Sequence, residues 1–216
     1  DLPLALGITD YFAQRNLLVF GPGKAAAKLE WCKVFAKKFM WEHNIPTAPA
    51  FITYDINTAR GYVHHHFLHN EGPLVVKADG LAAGKGASVC LNEEEAQRFL
   101  EKLIEEKAYG EAGCAILLEE YLEGEEVSFH CLVDGERILP FDTSQDQKRL
   151  FDATNAPMTG GMGVTSPAPI VTPELRERII REIIEPIVTG MVARGTPYRG
   201  VLYTGLMIVG DRPYAL

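Results

Sequence analysis

The feature that most restricts how this chain can fold is the run Leu74-Val75-Val76-Lys77-Ala78-Asp79-Gly80, which continues to Gly84-Lys85-Gly86. An apolar, β-branched strand delivers a lysine to its end, and glycines follow at once. A buried strand fixes the lysine ammonium as a point charge, while glycines let backbone N–H groups approach an anion with no Cβ in the way. Two familiar phosphate loops are excluded. A Walker A loop needs glycine where Asp79 stands and Ser or Thr where Gly86 stands. The dinucleotide fingerprint needs a third glycine where Val89 stands. A tight turn between two strands is the plain alternative.

Composition narrows the partners. The 216 residues are 47% hydrophobic and 23% charged, the balance of an ordinary globular protein. A net charge of −8 argues against a nucleic-acid backbone, so the local lysines are expected to serve a small anion. Cys32, Cys90, Cys114 and Cys131 form no CxxC pair, which fits a reduced, cytoplasmic protein. No apolar run reaches the roughly 18 residues of a membrane span, and no signal peptide is visible. The chain starts without Met and stops within an apolar run, so a piece of a longer protein is expected.

Periodicity predicts helices over 31–43, 92–107 and 172–194, with Pro186 kinking the last. Asn92 with Glu95, and Thr172 followed by Pro173, supply the start signals. Strands are predicted over 51–53, 74–78, 87–91, 115–119, 127–133, 137–141 and 201–209, with hairpin turns at Asp134-Gly135 and Gly210-Asp211. This mixture predicts an α+β fold rather than a doubly wound sheet. Residues 142–170 read as one long loop, rich in Gly, Pro, Thr and Asp, and loops of that length are usually functional or disordered.

A second signal is Leu117-Leu118-Glu119-Glu120-Tyr121-Leu122-Glu123-Gly124-Glu125-Glu126, an apolar strand ending in carboxylates. Acids beside an anion site make sense if they face a base and a sugar: a carboxylate accepts from an amino group or from ribose hydroxyls. A solvated acidic turn is the alternative.

Taken in order, Lys77 with the Gly80 to Gly86 loop, the Glu119 to Glu126 segment, Asp146-Gln147-Lys148-Arg149, Thr159-Gly160-Gly161-Met162-Gly163 and Gly200-Val201-Leu202-Tyr203-Thr204-Gly205 resemble the phosphoribosylamine-glycine ligase family of ATP-grasp enzymes. The resemblance covers nearly the whole chain. It implies an ATP-grasp fold in which two α+β subdomains clasp the nucleotide. Residues 1–20 would be the tail of an amino-terminal substrate domain, 21–50 a linker and the start of the core, 51–121 the lid and 122–216 a truncated central catalytic subdomain.

The resemblance also implies roles. Lys33 and Lys77 would hold ATP phosphates under Gly80, Gly84, Lys85 and Gly86. Glu119 would face adenine, Glu120, Tyr121 and Leu122 would form the hinge edge, and Glu126 would take the ribose. Asp146, Lys148 and Arg149 would act at the reacting groups, while Thr159, Gly160, Gly161, Met162 and Gly163 would offer backbone N–H groups to an anionic substrate. The substrates implied are ATP, glycine and 5-phosphoribosylamine, joined through a glycyl phosphate, with Mg2+ or Mn2+ held by residues expected just after Leu216. Other purine-pathway domains could share the polypeptide. Another ATP-grasp carboxylate-amine ligase and a non-catalytic nucleotide-binding module are the alternatives.

The chain departs from the family at Gln147, where His is common, at Met158, where Asn is common, and along 150–156, which lacks the usual Gly-Asp-rich run. His64, His65, His66 and His69 have no acid or Cys at ligand spacing and are expected to lie on a solvated lid helix.

Overall fold

A computed structural model of the chain describes residues 2–69, 72–80, 86–105, 115–147, 159 and 161–216. Two short helices, α1 (Leu2–Leu6) and α2 (Ile8–Ala13), precede α3 (Lys28–Trp31) and α4 (Lys33–Glu42). The helix predicted over 31–43 is thus broken at Cys32, whose backbone is extended. Its sulfur caps α4 by accepting the Phe35 N–H at 3.4 Å, the place a Ser or Asp oxygen usually takes.

The first sheet contains β1 (Ala50–Thr53), β2 (Leu74–Ala78), β3 (Ala87–Cys90) and β4 (Ile116–Glu120) in the spatial order β1-β4-β2-β3, all antiparallel. Helices α5 (Ile56–His69) and α6 (Glu93–Glu105) cover it, with Ala59, Val63, Ala96 and Leu100 packed on Leu74, Val76 and Leu118. Each Leu or Val taken from water here contributes about 1.5–3 kcal/mol. The start of α6 is the expected reciprocal cap: Asn92 Oδ1 accepts the Glu95 N–H at 2.9 Å, and Glu95 Oε2 accepts the Leu91 N–H at 2.8 Å. Helix α5 extends well before the histidines that hinted at it. It starts where Asp55 accepts from both the backbone and the hydroxyl of Thr58, each at 2.7 Å.

The remainder runs through β5 (Glu125–Asp134), β6 (Ile138–Pro140), β7 (Gln145–Asp146), β8 (Val164–Thr165), α7 (Pro173–Ile179), a π-helical turn (Ile180–Ile184), α8 (Glu185–Ala193), β9 (Arg199–Val209) and β10 (Arg212–Ala215). A second antiparallel sheet has the order β10-β9-β5-β6. Phe129, Cys131, Leu206 and Ile208 on one of its faces join Ile179, Ile183 and Met191 of the long helix and Phe39 of α4 in one core. The predicted strands all exist, each end within two residues of expectation, and the two hairpins turn at Gly135 (φ 76°) and Gly210 (φ 63°). Within the expected loop 142–170, β7 and β8 pair as a small ribbon, which the Ser128 to Ser144 bridge ties to β5.

Pro186 acts one turn earlier than a simple kink. It carries no N–H and its ring crowds the carbonyl four residues back, and the helix answers with a π turn in which the Glu185 N–H reaches back to the Ile180 carbonyl.

One short segment touches both sheets. The Pro46 carbonyl accepts the Ala215 N–H of β10 at 2.8 Å, and the Pro49 carbonyl accepts the Glu120 N–H of β4 at 3.0 Å.

Candidate functional site

The strand-borne lysine of the opening motif ends against a carboxylate. Lys77 Nζ lies 2.8 Å from Glu119 Oε2, and Lys37 Nζ lies 3.2 Å from Glu119 Oε1. Glu119 and Lys37 are both buried, at 3% and 2% exposure, whereas the Lys77 side chain keeps 16%. A buried carboxylate is costly without compensation, and two ammoniums supply it here. Glu119, the residue expected to face adenine, has its carboxylate between two lysines, because β4 and β2 are neighbours and α4 brings Lys37 in behind them.

Lys37 spends all three of its N–H donors. Besides Glu119 it donates to Thr47 Oγ1 at 2.7 Å and to the Ala48 carbonyl at 3.2 Å, and Thr47 Oγ1 donates onward to the Ala215 carbonyl at 2.7 Å. Lys33, at the first position of α4, donates to the Gly80 carbonyl at 2.9 Å. Gly80 has φ of 89°, a left-handed conformation that suits glycine. Burial pulls Lys33 below the ordinary lysine pKa; Asp79 opposes the shift and Lys77 adds to it. Burial likewise lowers Lys37, against the pull of Glu119.

Asp79 ties α4 to the end of β2. Its Oδ1 accepts the Val34 N–H at 3.1 Å and its Oδ2 accepts the Cys32 thiol at 3.4 Å. An acid at a helix N-terminus is electrostatically favoured, and the result sets Lys33 beside Gly80. Burial raises the Cys32 thiol pKa, so it stays protonated and donates.

The other expected residues fall into a second group. Glu126 on β5 and Asp146 on β7 line a recess of about 240 Å³ with Ser128, Tyr203, Leu206 and Leu216. Between the two groups lies the link 121–124, with Glu120 and Tyr121 exposed and Leu122 half-buried. Gly86 carries the ladder on, its carbonyl accepting the Ala78 N–H at 2.7 Å.

The glycine-rich segment after Thr159 forms a hydrogen-bonded turn. The Gly161 N–H is taken by Thr159 Oγ1 at 3.1 Å, and the Met162 N–H by the Gln147 carbonyl at 2.7 Å. Those two N–H groups, which were expected to face a substrate anion, bond within the turn in this structure, and Gly163 accepts the Gln147 N–H through its carbonyl. Gly84, Lys85, Lys148, Arg149 and Gly160 lie outside the described residues.

Three residues that matter here were not foreseen: Lys37, Thr47 and Asp79. The signal for Lys37 was its spacing of four from Lys33, which sets both on one helical face. Among the described residues, no three His, Cys, Asp or Glu side chains converge as a metal site. The histidines of α5 do other work: His64 Nδ1 meets Glu93 Oε1 at 3.0 Å, and His66 Nε2 meets the Gly72 carbonyl at 3.2 Å. No helix among the described residues is long and apolar enough to cross a membrane.

Comparison with known proteins places the chain in a family. Residues 32–216 match the family described as phosphoribosylglycinamide synthetase, ATP-grasp (A) domain. A phosphoribosylamine–glycine ligase from Vibrio vulnificus is 50% identical over 211 residues, which is 98% of this chain and 48% of that protein. The chain thus spans about half the length of the curated relatives it matches. The crystal structure of the phosphoribosylamine–glycine ligase from Thermotoga maritima superposes with a TM-score of 0.80 at 35% identity, covering 92% of this chain and 49% of that one. D-alanine–D-alanine ligase from Bacillus anthracis, solved with ATP, shares the fold alone, at 15% identity and a TM-score of 0.63 over 96% of this chain and 61% of that one. With its two antiparallel sheets joined by a short link, the chain has the ATP-grasp fold and belongs to the phosphoribosylglycinamide synthetase ATP-grasp (A) domain family.

Proposed function

We propose that this chain is the nucleotide-gripping core of an enzyme that ligates glycine to 5-phosphoribosylamine at the expense of ATP. The observation that carries the reading is the approach of two half-buried lysines, Lys33 and Lys77, to Gly80 at the end of β2. In this reading residues 51–121 act as the lid and 122–216 as part of the central subdomain.

The chemistry assigned is two displacements. A glycine carboxylate oxygen attacks the γ-phosphorus of ATP, the bond to the bridging oxygen breaks, and ADP leaves. The amine nitrogen of phosphoribosylamine then attacks the acyl carbon of glycyl phosphate, loses a proton, and expels inorganic phosphate as the amide forms. Such a reaction needs positioning and charge neutralisation above all. Lys33 and Lys77 supply cations to the phosphates, with Gly80, Gly84, Lys85 and Gly86 as the covering loop. Glu120, Tyr121 and Leu122 form the edge against the base, and Glu126 accepts from the ribose. Asp146, Lys148 and Arg149, with Thr159 to Gly163, serve the reacting end. A divalent cation, Mg2+ or Mn2+, contributes further charge neutralisation when bound. The partners are small molecules, with no role for nucleic acid or membrane, and the location is the cytoplasm.

The test is an assay of the longest gene product that contains this chain, given ATP, a divalent cation, glycine and phosphoribosylamine. Phosphate release that requires both glycine and phosphoribosylamine is expected. Release that is absent, or indifferent to glycine, would sink the reading.

A further inference from the structure

Lys37 has no assigned role in gripping a nucleotide, yet it is the most completely buried charged side chain in the cluster. Consider Glu119 with Lys77 alone. The pair would be neutral, and a buried carboxylate with a single counter-ion holds that ion tightly, since releasing it leaves the charge uncompensated. A phosphate arriving at Lys77 would compete with Glu119 for one ammonium. With Lys37 present, two ammoniums face one carboxylate and the group keeps a net positive charge.

We propose that Lys37 is a positioning residue for the Lys77 ammonium: by serving as the permanent counter-ion of Glu119, it leaves Lys77 free to be shared with a phosphate. The inference rests on the reading that Lys77 meets ATP. Geometry supports the division of labour. The Lys37 ammonium is walled in by Glu119, Thr47 and the Ala48 carbonyl, at 2% exposure, and reaches no open surface. Lys77, on the other oxygen of the same carboxylate, retains the exposure that a ligand needs. Thr47 fixes Lys37 in turn, because its hydroxyl is anchored on the Ala215 carbonyl and so turns a lone pair toward the ammonium.

The test is ATP binding by titration calorimetry on the longest gene product carrying the chain, comparing wild type with K37M, K77M and the double variant K37M/E119Q. K37M removes the counter-ion, locks Lys77 onto Glu119, and is expected to weaken ATP by roughly 10- to 100-fold, the scale of one charge-assisted hydrogen bond. K37M/E119Q removes the carboxylate that captured Lys77, and its affinity should return to within about threefold of wild type. A merely structural lysine would give a double variant as weak as K37M, which overturns the proposal. So does wild-type affinity in K37M. If K37M does not fold, the double variant decides against wild type: near-equal affinity supports the proposal and lost affinity overturns it. K77M separates the two readings. Lost binding in K77M with normal binding in K37M refutes the role of Lys37 alone, whereas a wild type that binds no ATP removes the nucleotide reading and this inference together.

Discussion

Lys77 and Glu119 meet on a diagonal. Lys77 pairs in register with Leu117, and Glu119 with Val75, yet the lysine ammonium leans along the sheet to within 2.8 Å of the carboxylate. Diagonal pairs are within reach of long side chains. The Lys77 ammonium is therefore held by the two central strands of the first sheet.

Replacing Lys77 should damage chemistry more than folding. In the full-length protein, K77A is expected to lower kcat/KM for ATP by roughly 30- to 1,000-fold, equivalent to about 2–4 kcal/mol, the size of one charge contact in a closed site. Steady-state kinetics with urea denaturation alongside will check it; unchanged kinetics would make the lysine purely structural.

Gly124, in the link between the two sheets, has no room for a side chain. A Cβ there would collide with the Ile208 carbonyl oxygen of β9, and backbone cannot swing aside as a side-chain tip can. G124A should cost about 1–3 kcal/mol of stability, as overpacking usually does. Chemical denaturation measures this, and an unchanged midpoint would refute it.

Thr204 carries a buried hydroxyl with no hydrogen-bond partner among the described residues. T204V keeps the shape and removes the unsatisfied oxygen, so it should be neutral or stabilising by up to about 1 kcal/mol. A loss larger than that on thermal melting would mean the hydroxyl has a partner.

Asp55 predicts an acid dependence. The Thr58 hydroxyl and then its backbone N–H hold the carboxyl below the ordinary carboxylate pKa. The folded form thus binds its proton later than the unfolded form as pH falls. The stabilisation is present above the unfolded value of about 3.9 and fades as pH drops through the lower folded value. Thermal melts of wild type and D55A should differ at neutral pH and converge in strong acid. A constant difference would show that the cap does not depend on charge.

Much of this was legible in the residues. Alternation and turn glycines located the strands of both sheets because the signals are local: Val75-Val76 before Lys77, Gly135 and Gly210 at φ > 0. The lysines at 33 and 77 could be named from motif order. Partnership could not. Glu119 looks in sequence like a surface acid in a run of acids, and only the adjacency of β2 and β4, with α4 behind them, buries it between two ammoniums. Asp79 likewise gains meaning only when the extended Cys32 aims the start of α4 at it. Helix α5 escaped full notice because Ile56 to His69 carries a weak apolar stripe, His66 filling a buried position where an aliphatic residue would have signalled.

The stretch around 46–49, bonded to β10 at one end and β4 at the other, has a mechanical consequence. Translating one sheet away from the other would have to break the Pro46 to Ala215 bond or the Pro49 to Glu120 bond. The chain thereby passes between its sheets twice, at the link 121–124 and at this second crossing, which is anchored by a backbone hydrogen bond at each end. Lys37, bonded to Thr47 and to the Ala48 carbonyl, adds a side-chain tie in the middle of that crossing.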